Sequence, residues 1–143
     1  MPNSKMPRHR HLFFYAFLIL ISSPPSSAEL GKASHYNPPY IPTACFGRDF
    51  SQLPSDGYFA AVGDDLWNNG TACGKKYMVS CISSPFSRAC KKEKTIQVRA
   101  VDRAKTAVSR SSQAGTTITL SRAAFEVISD IRSTWVAIQF KQV

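Results

Sequence analysis

The chain is short of acid, of histidine and of cysteine, and each shortage narrows what it can do. Only nine of its 143 residues are aspartate or glutamate, against eighteen lysines and arginines, for a formal charge of +9. Hydrolysis of a sugar bond usually needs two carboxyl groups facing that bond, about 5 to 9.5 Å apart, so a chain with few acids has few such pairs to offer. Of three histidines only His35 lies beyond the first dozen residues, and no paired Ser, Cys or metal-ligand set accompanies it. It reads as an ordinary surface side chain. The four cysteines contain no CxxC, so neither a metal site nor a cofactor is expected.

No apolar run reaches the roughly 20 residues that cross a bilayer. Leu12 to Ile21 is apolar, follows Lys5, Arg8 and Arg10, and precedes the small residues Ser26, Ser27 and Ala28. That is the pattern of a secretory signal peptide over residues 1–28, cleaved after Ala28. The mature chain, residues 29–143, keeps 15 basic residues against nine acidic ones, a formal +6. Outside the cell such a charge favours acidic polysaccharide or phospholipid over nucleic acid, with plain solubility as the alternative. Four cysteines in a secreted chain of this size imply two disulfides, with three connectivities open. The favoured set joins Cys81 to Cys90 across a turn-rich segment and leaves Cys45 to pair with Cys73.

Short strands are expected at residues 31–36, 58–62, 77–81, 96–102, 116–120 and 135–140. The clearest alternations are Tyr77, Val79, Cys81 and Val136, Ile138, Phe140. Asn69-Gly70 suits a tight turn, and Asp64 reads as the N-cap of one helical turn. Ser121 caps a helix over 122–128, with Leu120 and Phe125 placed as a hydrophobic staple. Residues 37–57 form a loop rich in Pro, Gly and Ser. With no repeat and no second domain in view, the pattern argues one small closed β-barrel.

Several segments together resemble the EG45-like domain proteins of plants, also called plant natriuretic peptide-like proteins, relatives of barwin and of the first expansin domain. They are residues 31–40, 44–47 and 66–77, then Val101-Asp102-Arg103 and residues 120–125. The resemblance implies an all-β, six-stranded double-psi β-barrel with short helices, filling residues 29–143 as one expansin-like domain. It also implies a secreted, apoplastic monomer with no membrane span in the mature protein. The implied role is non-enzymatic: a mobile signal with a systemic part in water and ion (solute) homeostasis. The alternative is a module that binds cell-wall polysaccharide without cutting it. Expected partners are accordingly a plasma-membrane receptor or a wall polysaccharide, and not nucleic acid.

Asp102 is the candidate groove carboxylate, weighed against a plain role accepting backbone hydrogen bonds. Relatives place a second aspartate just before the Leu-Ser that opens the late helix, where this chain has Thr119. A hydroxyl cannot donate a proton near neutral pH, so no catalytic residue is assigned. Ser34 and Tyr36 complete the candidate groove, with an exposed strand serine and barrel packing as their respective alternatives. Trp67 is expected in the core beside Cys73. Asn69-Gly70-Thr71 is a glycosylation sequon, which makes Asn69 a candidate acceptor.

Overall fold

The computed structural model describes residues 28–110 and 115–143. All but the last residue of the expected signal peptide, and part of the loop after Asp102, lie outside the described residues. Six strands, β1 (Glu29–Tyr36), β2 (Phe59–Val62), β3 (Lys76–Ser83), β4 (Thr95–Arg103), β5 (Ile118–Ser121) and β6 (Trp135–Gln142), close into a barrel in the order β1-β5-β2-β4-β3-β6. The pairs β1–β5 and β2–β4 are parallel; the other four are antiparallel. Two short helices, α1 (Asp64–Trp67) and α2 (Arg122–Ile128), join them, with single 3₁₀ turns at Phe50–Gln52 and Asn68–Gly70.

Alternation decides which side chains fill the barrel. Tyr77, Val79 and Cys81 of β3 and Val136, Ile138 and Phe140 of β6 all join one core cluster, as the period-two patterns require. On β2 the alternation serves two cores. Ala60 and Val62 belong to the interior, whereas Phe59 and Ala61 belong to a second cluster with Tyr36 and Val101 on the opposite face.

The β4 alternation breaks at a bulge. Ala60 pairs with Ala100 but Ala61 pairs with Asp102, so Val101 is the extra residue. Ala100, Val101 and Asp102 are consequently buried in succession.

Ser121 caps α2 as its sequence position suggests. Its Oγ accepts from Ala124 N at 3.2 Å and donates to the Gly57 carbonyl at 2.6 Å, tying the helix start to the end of the long loop. Such a cap contributes about 1 kcal/mol. Ala124, Phe125 and Ile128 then turn into the barrel core beside Leu120.

The N-cap of α1 differs from expectation: Gly63 holds that place and Asp64 is the first helical residue. A Cβ on Gly63 would lie 2.5 Å from the Thr116 carbonyl oxygen, so the chain can pass there only as glycine. The Asp64 carboxylate instead pairs with Arg103 at 2.9 Å and with Lys105. After α1 three successive residues, Asn68, Asn69 and Gly70, take positive φ of 44°, 57° and 87°, which Asn and Gly tolerate best.

Disulfides join Cys45 to Cys73 and Cys81 to Cys90, and no described cysteine is free. The first fastens residues 37–57 across the second core cluster as a strap. Tyr40, Phe46 and Leu53 of that strap pack against Tyr36, Phe59, Ala61 and Val101.

Candidate functional site

The barrel register lines up the residues singled out from the sequence. Ser34 pairs with Thr119, Thr119 with Ala61, and Ala61 with Asp102, a transverse row across β1, β5, β2 and β4. Ser34 Oγ and Thr119 Oγ1 lie 3.3 Å apart. Thr119 and Asp102 stand two strand spacings apart, roughly 10 Å. Tyr36 sits two residues along β1 from Ser34, on the same side.

The row is covered. Ser34, Thr119 and Asp102 are at most 2% exposed and Tyr36 is 5% exposed. The plainer reading of Ser34, an exposed strand serine, therefore fails: its side chain is buried beside Thr119. Tyr40 makes edge contacts with Tyr36 at 4.9 Å and Phe59 at 4.7 Å. Its hydroxyl donates to the Tyr36 carbonyl and accepts from Arg122 N, each at 3.2 Å. Further along, Cys45 N donates to the Val101 carbonyl at 3.3 Å.

Asp102 is bound to the strap rather than offered to solvent. Its Oδ1 accepts from Ala44 N at 2.7 Å and Arg103 N at 2.8 Å, and its Oδ2 from Thr106 Oγ1 at 2.9 Å. Burial pushes its carboxyl above the usual carboxylate range, against the pull of those donors. Burial, followed by the charge on Asp102 and the neighbouring Tyr40, raises the Tyr36 phenol as well. Its hydroxyl meets no partner among the described residues. Tyr36 thus packs, and does not present a stacking face.

His35 is not the surface side chain expected. Its ring lies 4.6 Å from that of Phe125, and its Nδ1 is buried with no partner among the described residues. Burial lowers its pKa, helped by Arg122 and opposed by Glu126. The reason is its place on β1 under α2, which pattern alone could not supply. Trp67 is half-buried against the main core, and Lys32 Nζ lies 4.3 Å over the Trp135 ring. Asn69 is exposed at the turn before Cys73.

Asp64 was not read as a site residue, yet it is the acid next to Arg103. Hydrogen bonds from Lys105 and then Arg103 hold its carboxyl below the usual range, so it is a charged salt-bridge partner and not a proton donor. Among the described residues no three His, Cys, Asp or Glu side chains form a metal-holding group.

Residues 59–140 match the family model described as lytic transglycolase. EG45-like domain containing protein 2 of Arabidopsis thaliana is 37% identical over 112 residues, 77% of each chain. An EG45-like domain containing protein of Citrus jambhiri is 42% identical over 65 residues, 45% of each chain. Among solved structures, a variant of Clavibacter michiganensis expansin in complex with cellohexaose superposes with a TM-score of 0.61 at 20% identity, over 82% of this chain and 50% of that one. The Streptomyces papain inhibitor gives 0.55 at 24% identity, over 82% of this chain and 94% of that one. At such identities the two structures speak for the fold alone, a six-stranded double-psi β-barrel. With the family model over more than half its length and the Arabidopsis relative over 77% of it, the chain belongs to the expansin-like EG45 domain family.

Proposed function

We propose that this protein is a secreted, non-hydrolytic component of the plant cell-wall space. The observation that carries the reading is the state of the row. Its single carboxylate, Asp102, is buried and engaged by three donors, and Thr119 stands where a second acid would be needed. The pair of accessible carboxyl groups that glycoside hydrolysis employs is therefore not assembled there. The leader pattern of residues 1–28 and the plant relatives support the location.

Purified mature protein is expected to release no reducing sugar from cellulose, xyloglucan or pectin, and Asp102→Asn to behave identically. Turnover by the wild type that disappears in the Asn variant would overturn the reading.

The finer role, from family resemblance, is a mobile signal in water and solute homeostasis, read by a receptor at the plasma membrane. The strap supports it as the contact surface, because Phe50 is 70% exposed while Tyr40, Phe46 and Leu53 are spent on the second core cluster. Phe50→Ala should weaken an osmotic response of plant protoplasts at least several-fold without shifting the melting temperature, as truncating an exposed aromatic anchor does. An unchanged response would count against this surface.

A second reading, binding of wall polysaccharide, is favoured by the Clavibacter michiganensis expansin variant that is in complex with cellohexaose and shares this fold over half of its chain.

A further inference from the structure

Away from the buried row, the register sets two cations face to face. Lys76 of β3 and Arg99 of β4 are direct cross-strand partners. Like charges in that position destabilise a ladder, and among the described residues neither forms a salt bridge. Both line an open cleft of about 500 Å³ between the strap and the outer face of β3 and β4, together with Ser51, Asp56, Tyr58 and Gln97. The Arg99 guanidinium is held in place there. It donates to the Gln52 carbonyl and lies 4.8 Å over the Phe46 ring. Lys76 is exposed and its side chain forms no salt bridge among the described residues, so it can swing onto a ligand.

We infer that this cleft binds a carboxylated sugar, a uronate unit of an acidic polysaccharide, with the carboxylate between Lys76 and Arg99. Two opposed cations that form no salt bridge among the described residues call for an anion. The volume, within the range of small-molecule sites, exceeds what a bare inorganic ion fills. The phenol of Tyr58 and the amide of Gln97 add an apolar ring edge and hydroxyl partners. Asp56, whose Oδ1 accepts from Tyr58 N at 2.8 Å, selects further. A carboxylate beside two cations disfavours a purely anionic ligand and favours one that also brings hydroxyl donors. The row of Asp102 and Thr119 takes no part.

The test is calorimetric titration of the mature protein with trigalacturonate, with cellotriose and inorganic phosphate as comparison arms. Saturable binding of trigalacturonate is expected, at least tenfold tighter than either comparison. Lys76→Gln should weaken it about tenfold, and Lys92→Gln, in the exposed lysine cluster, should leave it unchanged. Lys76→Glu should abolish it while raising the melting temperature, because Glu then faces Arg99 across the ladder. Equal binding of cellotriose, phosphate binding as tightly, or equal weakening by Lys92→Gln would each overturn the inference. Any of these would leave the non-hydrolytic reading intact, whereas sugar release would sink that reading and not this one.

Discussion

Replacing Cys45 and Cys73 together by serine is expected to lower the unfolding free energy by about 3 to 4 kcal/mol, the chain-entropy value for a loop of this size. The bridge closes 28 residues, against nine for Cys81–Cys90. The same relation gives the shorter loop about 2.6 kcal/mol. The larger loss should also be the structurally selective one. Cys45–Cys73 pins the strap, which packs on Tyr36, Phe59, Ala61 and Val101 and binds Asp102 through Ala44 N. Once it is released, the strap keeps its packing on the second core cluster and a set of single hydrogen bonds, among them those from Ala44 N, Cys45 N and Tyr40 Oη and those accepted by the Gln52 and Gly57 carbonyls. Each neutral bond contributes only about 1 kcal/mol net. Urea denaturation should therefore rank the two double variants in that order, and hydrogen exchange should accelerate in β2 and β4 beneath the strap only for the first. Equal losses, or a larger loss for Cys81 and Cys90, would show that the strap is held by packing and not by its bridge.

The parts of the molecule legible in the sequence are those governed by local period. Tyr77, Val79 and Cys81 announce β3, and Ser121 announces α2, because alternation and capping are properties of adjacent residues. What pattern misses depends on residues far apart in the chain. Ala100 continues the alternation of Ile96 and Val98, and on paper Val101 belongs with the outward Gln97 and Arg99, but the bulge opposite Ala60 and Ala61 leaves Val101 and Asp102 both buried. Tyr40, Phe46 and Leu53 follow no period, so a Pro- and Gly-rich segment gives no sign that three of its side chains seal a second core. The candidate row follows residue by residue from the family resemblance, with packing of Tyr36 among its readings, whereas the burial of Ser34 and Thr119 depends on cross-strand register and leaves no mark in the local pattern. The opposition of Lys76 and Arg99 could not be read at all, since register fixes it across 23 positions of sequence. Asp64 misleads for a related reason. Aspartate is a good cap, but here its partners are Arg103 and Lys105, some forty residues on.

Asp102→Ala is expected to cost roughly 2 to 6 kcal/mol, because it strips the acceptor from two part-buried backbone hydrogen bonds, from Ala44 N and Arg103 N, at about 1 to 3 kcal/mol each. Asp102→Asn should cost less than about 1 kcal/mol at neutral pH, and counting protons explains why. Beyond Asp102 Oδ2 runs a chain: Thr106 Oγ1 at 2.9 Å, then Ser109 Oγ at 2.8 Å, then the Arg103 carbonyl at 2.5 Å. When the carboxylate is charged, Thr106 donates to it and Ser109 donates to the carbonyl, which leaves no hydrogen between the two hydroxyls. When it is protonated, each member donates to the next and every contact is filled. An Asn amide supplies the same hydrogen permanently. Burial and this missing hydrogen both favour the neutral acid, in keeping with the raised pKa of the group. A carboxyl whose folded pKa is raised contributes stability that is complete below its unfolded value, about 4, and is lost as pH rises through the folded value. The stability of the wild type relative to Asp102→Asn should therefore be greatest near pH 3 and decline as pH increases. A difference that instead grows with pH would mean that the three donors outweigh burial and that the row is built to hold a charge.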